Sequence, residues 1–246
     1  EIGQGLLHSR QTRSSASLST IRPRLHNRIA NRNSTEFGAI RGIHLSKQYG
    51  LVHLAALYGH AFWDAEIKSN DDVQIRRTEQ HSSNTTIQRK NALTERLATL
   101  HISAGTPQNH LGATIQTAHF SPTKPQEIAS RHISIDGRGQ WHQTVLFGEI
   151  AFGPKTQAFV TGLNWQKKTF KFHLLTRKYS PYFSALHGAP IATYGTPPQN
   201  EQGIFFGFAY RPSPRTRIEL SLDRHKHLIP ERHPLPDQGH RFRLTY

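Results

Sequence analysis

The sequence predicts an all-β protein: an antiparallel, up-and-down outer-membrane-type β-barrel, or a large part of one, with about twelve strands. Apolar residues recur with a two-residue rather than a helical period through most segments. Short and long connections alternate along the chain. No run approaches ~18 consecutive apolar residues, which excludes a transmembrane helix. A spanning barrel stays open, because alternating strands never build a long apolar run.

The elements follow in order. A weaker extended segment lies near residues 1–7, and strands are expected at 37–47, 51–67, 94–103, 109–120 and 131–138. Asn91–Ser103 also admits a helical reading, because Leu93 and Leu97 stand four apart. Trp141–Phe152 and Gln157–Trp165 read as strands with both faces less polar. Next, Phe170, Phe172, Leu174 and Thr176 oppose Lys171, His173, Leu175 and Arg177. Ile204, Phe206, Phe208 and Tyr210 oppose Phe205, Gly207 and Ala209. Ile218, Leu220 and Leu222 oppose Arg217, Glu219, Ser221 and Asp223. Last, Phe242, Leu244 and Tyr246 oppose Arg241, Arg243 and Thr245.

Short links fall at 48–50, 104–108, 139–140, 166–168 and 211–214. Between them lie 8–36, 68–93, 121–130, 153–156, 178–201 and 224–239, long in every case but one. In an up-and-down sheet alternate connections leave from opposite ends, so short turns gather on one side and long loops on the other. Bacterial outer-membrane barrels have this asymmetry. Trp63, Trp141, Trp165, Tyr49, Tyr58, Tyr179, Tyr210 and Tyr246 fall near predicted strand ends, where interfacial aromatics are expected. The loops 8–36 and 68–93 are rich in Ser, Asn, Thr and Arg and read as surface loops.

The 246 residues carry a net charge of +15, with 17 His, no Cys and no Met. Without Cys there is no disulfide scaffold, thiolate metal site or Cys nucleophile. The absence of Met, position 1 included, gives the expectation that 1–246 is a single barrel segment that starts inside a longer protein or after a cleaved segment. Hydrophobic content of 35% fits strands with one apolar and one polar face.

Chemical motifs are sparse. No phosphate-binding loop, zinc-type spacing or Gly-x-Ser-x-Gly occurs. Asp223, His225 and His227 are the nearest approach to a metal trio, and loop histidines are the plainer reading. Asp64 with Glu66, and Glu219 with Asp223, are the nearest acidic pairs, with a neighbouring Arg the commoner reason for such carboxylates. No catalytic residue, metal or cofactor is expected, and the protein reads as a non-enzyme. Strand charges of a spanning barrel must face the lumen, because a lipid-facing Arg at mid-depth costs ~2–4 kcal/mol. The lumen candidates are Lys171, Arg177, Arg217, Glu219, Asp223, Arg241 and Arg243, a set that favours anions.

Several segments occur in the order of one family: Gly-Gln-Gly-Leu-Leu at 3–7, Asn-Ala-Leu-Thr-Glu-Arg at 91–96 and Leu-Phe-Gly-Glu at 146–149. Arg-Lys-Tyr-Ser-Pro at 177–181, Asn-Glu-Gln-Gly-Ile-Phe-Phe-Gly at 200–207 and Tyr-Arg-Pro-Ser-Pro-Arg at 210–215 complete the set. Together they resemble the helix-hairpin-helix-containing proteins of Bacteroidota and Chlorobiota, from the first residue to the last. The resemblance implies a large outer-membrane β-barrel region behind a helix-hairpin-helix segment, with a link to DNA uptake. That helix-hairpin-helix segment is absent here, so no DNA-contacting residue is carried over. After Leu220 the family's aromatic-rich stretch is replaced by Arg-His-Lys-His-Leu-Ile-Pro.

The leading expectation is a channel or transport barrel in the bacterial outer membrane, with lipid and lipopolysaccharide as its surroundings. A polyanion-binding module for DNA or lipopolysaccharide is the alternative, motivated by the +15 charge. A soluble β-sandwich binding domain is the third.

Overall fold

The computed structural model describes residues 38–68, 73–76, 81–122, 125, 128, 130–188, 191–192, 199–213, 215–230 and 238–245. The segment near 1–7, the loop 8–36 and Tyr246 lie outside them. The elements are β1 (Arg41–Tyr49), β2 (Val52–Trp63), β3 (Ala65–Ile67), β4 (Val73–Ile75), α1 (Asn84–Gln88), β5 (Leu93–Gly105) and β6 (His110–Ser121). They continue with β7 (Arg131–Trp141), β8 (Thr144–Gly153), β9 (Thr156–Lys167), β10 (Phe170–Tyr179), β11 (Glu201–Ser213), β12 (Thr216–His227) and β13 (Gln238–Thr245).

Eleven strands form one antiparallel, barrel-like sheet in the order β1-β2-β5-β6-β7-β8-β9-β10-β11-β12-β13, and β3 and β4 make a separate hairpin. Each strand of the large sheet pairs with its neighbour in sequence once that hairpin is set aside, the up-and-down path that the period-two pattern predicts. Among the described residues β1 and β13 are the two edges.

Tight connections gather at one end. Gly50 turns at φ 55°, His142 at 51° and Lys168 at 35°, the left-handed region that a reversal in so few residues demands. The opposite end carries the connections 64–92, 122–130, 180–200 and 228–237, with one tight turn at Lys155.

The strand expected at 94–103 is β5, and the helical alternative over Asn91–Ser103 falls, because Leu93, Glu95, Leu97, Thr99, His101 and Ser103 all go to one buried face. Several other expectations are corrected. The link expected at 139–140 lies at 142–143: Asn109 Oδ1 accepts from the Gln140 backbone N–H at 2.7 Å, which holds β7 extended to Trp141. β12 runs on to His227, so the loop expected from 224 starts after it. The strand expected over 51–67 breaks at Asp64, whose carboxylate accepts the Asn91 N–H at 3.0 Å while its carbonyl accepts from Arg76 N–H at 2.7 Å. The loop expected at 68–93 contains β4 and α1, the helix capped by Ser83 through its Thr86 contacts.

Two apolar clusters lie on the buried face toward the long-loop end. One joins Phe147, Ala151, Ala158, Val160, Leu175, Tyr179 and Phe205 with Phe183, Ala185, Ile191 and Ala192 of the β10–β11 connection. The other joins Ala61, Trp63, Leu93, Phe120 and Leu186 with Ala65 and Val73 of the hairpin.

Candidate functional site: the inner face of the sheet

Along parts of β5 and β7 polarity is inverted. On β7, His132, Ser134 and Asp136 are buried, whereas the intervening Ile133 and Ile135 are each 47% exposed. On β5, Thr99, His101 and Ser103 are buried while Leu100 and Ile102 face out. Ile43, Leu111, Ile150, Ile204, Leu222 and Phe242 extend the exposed apolar face around the sheet. Outer-face charges such as Arg41, Arg96, Arg131, Lys178, Arg224 and Lys226 stand near strand ends, and the span between them carries Ile, Leu, Phe, Ala and Thr. In water such a face would be an unusually large apolar patch.

The inner face of β5–β8 is a polar cluster. Register puts Gly112 opposite both Ser103 and Asp136, and Asp136 opposite Glu149. His101 Nδ1 shares a 2.9 Å hydrogen bond with Thr114 Oγ1 and lies 3.9 Å from Asp136 Oδ1. His110 Nε2 lies 3.8 Å from the other Asp136 oxygen. Among the described residues neither Asp136 oxygen has a hydrogen-bond partner, nor do Ser134 Oγ and Gln116 Oε1, although all are buried. A buried acceptor in that state is costly unless solvent or solute reaches it.

Across the sheet, β10–β12 hold a buried ion triad. Arg177 donates from Nε to Glu201 at 2.6 Å and from Nη1 to Asp223 at 2.9 Å. Its guanidinium lies over Gly203, its register partner, where a Cβ would come within 2.7 Å of Cζ.

All seven lumen candidates fall on this same inner face, but in three settings. Arg177 and Asp223 neutralise one another in the triad, so Arg177 is not open to a solute anion. Arg217 pairs with Glu219. Lys171 is exposed toward the turn end, and Arg241 and Arg243 lie exposed on edge strand β13, opposite Asp223 and Ser221. His227 Nδ1 bonds the Asn200 carbonyl at 2.9 Å, so it and Asp223 have structural partners.

The β10–β11 connection crosses the inner face near the long-loop end. Phe183 packs edge-on against the His132 ring with centroids 5.5 Å apart. The Tyr179 hydroxyl donates to the Ile191 carbonyl at 2.7 Å. His187 Nε2 lies 2.8 Å from Glu95 Oε2, the oxygen that also accepts from the Trp63 indole at 2.8 Å. The 180–188 segment is therefore a strap of chain that reaches across the inner face from β10 to Glu95 of β5.

The acidic pair at 64 and 66 belongs to the hairpin. Asp64 meets His81 at 2.7 Å, and Glu66 accepts from Arg76 at 2.9 Å and Arg89 at 2.8 Å. The Arg76 hydrogen bond holds the Glu66 carboxyl below its ordinary range; burial opposes this, and the charges of Arg89, Arg76 and Lys68 add to it. The commoner reading of these carboxylates, a neighbouring Arg, is what the hairpin provides at Glu66.

Sequence reasoning did not single out His101, His110, Asp136, Glu149 or Glu95. The signal was present in His-Ile-Ser-Ile-Asp at 132–136, where polar residues alternate with isoleucine. Burial of the polar half is what that string alone leaves open.

The chain matches no protein-family model and no curated protein. One solved structure, described as "Unveiling the Mechanism Behind the in-meso Crystallization of Membrane Proteins", aligns over 84% of this chain and 75% of that one, at 11% identity and a TM-score of 0.33. A likeness of that size carries no argument. No helix among the described residues is long and apolar enough to cross a membrane, which says nothing of strands.

Proposed function

We propose that this chain forms wall of an outer-membrane β-barrel that passes small solutes and favours anions. One observation carries the reading: Ile, Leu and Phe side chains make an exposed outer face, while buried His, Ser, Asp, Glu and Arg share the inner face with two apolar clusters. Lipid reverses the usual cost of such an arrangement, since it solvates the outer band and leaves polar groups to a wet interior. The anion preference rests on Lys171, Arg241 and Arg243, which are inner-face cations with exposed side chains. Cell fractionation tests localisation: the protein should sediment with outer membrane and need detergent for release. Planar-bilayer recordings then test the pore, and an absence of conductance or a cation preference overturns it.

A polyanion-binding reading draws on the +15 charge. Filter binding of duplex DNA across a salt series separates the two, because phosphate contacts weaken steeply with salt. Steep salt-dependent retention of DNA by a chain without conductance would favour it.

A further inference from the structure

On the outer face, register sets Arg41 beside His60, His60 beside Arg96, and Arg96 beside His119. One row thus crosses β1, β2, β5 and β6 near the long-loop rim, with all four residues exposed. Phe62 helps to orient it: the Arg41 guanidinium carbon lies 5.9 Å from its ring centroid, and the His60 ring meets it edge-on at 5.2 Å. Among the described residues of these strands no carboxylate shares the face.

Directly toward the turns the surface becomes apolar. The next row is Ile43, Tyr58, Ala98 and Thr117, and the row after it is Leu45, Ala56, Leu100 and Ile115. Small Ala56 and Ala98 leave a groove of ≈ 430 Å³ between their larger neighbours. Cation and groove are therefore stacked along the direction in which a lipid would lie.

We propose that this surface is a binding site for a phosphate-bearing acyl lipid of the outer leaflet. The phosphate sits on Arg41 and Arg96, whose planar forks match its oxygens, with imidazole N–H groups beside them. One acyl chain runs down the groove over Ala98 and Ala56. Long loops mark the outer-leaflet side of such barrels, which places the row at the depth of those headgroups. The inference rests on the membrane reading above and adds a specific lipid contact to it.

Native mass spectrometry of the full chain in detergent tests the site, with bis-phosphorylated lipid A, its dephosphorylated form and inorganic phosphate as probes. Lipid A should be retained at least tenfold more tightly than either part alone. Arg96→Ala should bring its affinity down to that of the dephosphorylated form. Ala98→Phe, which fills the groove, should lower affinity for both lipids while leaving the phosphate row intact. Both positions face outward, so heat-modifiable gel mobility should match wild type and certify folding. Equal retention of the two lipids, or wild-type retention by both variants, overturns the site. A chain recovered without detergent overturns the membrane reading instead, and the same titration on that chain still decides the lipid site.

Discussion

Arg177 lies over Gly203, and the absence of a side chain there is what lets one guanidinium reach Glu201 and Asp223 together. Gly203→Ala should push the guanidinium off its partners and destabilise the fold by about 1–3 kcal/mol, the range for overpacking. Arg177→Met should cost more, about 3–5 kcal/mol, because two buried carboxylates lose their cation. Denaturant midpoints of the folded chain check both, and equal stability of the three proteins would refute the triad's role.

Asp136 presents the opposite case, a buried carboxylate whose oxygens accept no hydrogen bond among the described residues. Asp136→Asn keeps the volume and removes the charge. We expect it to raise stability at neutral pH, because a buried neutral amide is less costly to desolvate than a buried charge without hydrogen bonds. Gly112→Ala should do the reverse, since its Cβ would fall 2.8 Å from His101 Cε1 and 2.9 Å from Asp136 Oδ1. A loss of stability in Asp136→Asn would mean that the carboxylate is already satisfied by solvent or solute.

The strap depends on Glu95, which binds His187 and Trp63 through one oxygen. Glu95→Gln weakens a charge-assisted bond worth about 1.5–3 kcal/mol. Opening of the 180–188 segment should rise by roughly ten- to a hundredfold. The native chain has no Cys, so Ser184→Cys provides a unique label site. Its maleimide labelling rate should rise in the Glu95→Gln background, and an unchanged rate would rule out a latch at Glu95.

Glu66 gives a pH dependence outside the large sheet. Its folded pKa lies below the ordinary carboxylate value, so the Arg76 and Arg89 contacts contribute above that ordinary value. The contribution is lost as pH falls through the depressed folded pKa. Proteolysis of the 64–91 connection should therefore rise on acidification below the usual carboxylate range. Glu66→Gln should show elevated cleavage at neutral pH and little further change with acid.

Strand order and face were legible because each strand states its own alternation: Ile218, Leu220 and Leu222 cannot share a face with Glu219 and Asp223. Boundaries failed where side chains from distant positions decide them. The Asn109 bond to Gln140 and the Asn91 bond to Asp64 tie residues about thirty apart, beyond any local pattern. Of the seven lumen candidates the chosen face was readable, but their partners were not. Arg177 and Asp223 stand 46 positions apart, and only the β10–β11–β12 register brings them into contact. The His101–Asp136 cluster was missed for a related reason, since single polar residues between isoleucines look like the solvent side of any sheet.

The eleven-stranded order has a consequence in parity. Successive strands reverse direction, so the first and eleventh, β1 and β13, run the same way. Joining those two edges directly would create a parallel seam in a wall that is antiparallel everywhere else. An odd number of strands placed between them would avoid that seam and make the total even, the count found in single-chain barrels of bacterial outer membranes. The edge Arg41–Tyr49 and the edge Gln238–Thr245 therefore each present a ladder of the polarity that a single oppositely directed strand would satisfy on both sides.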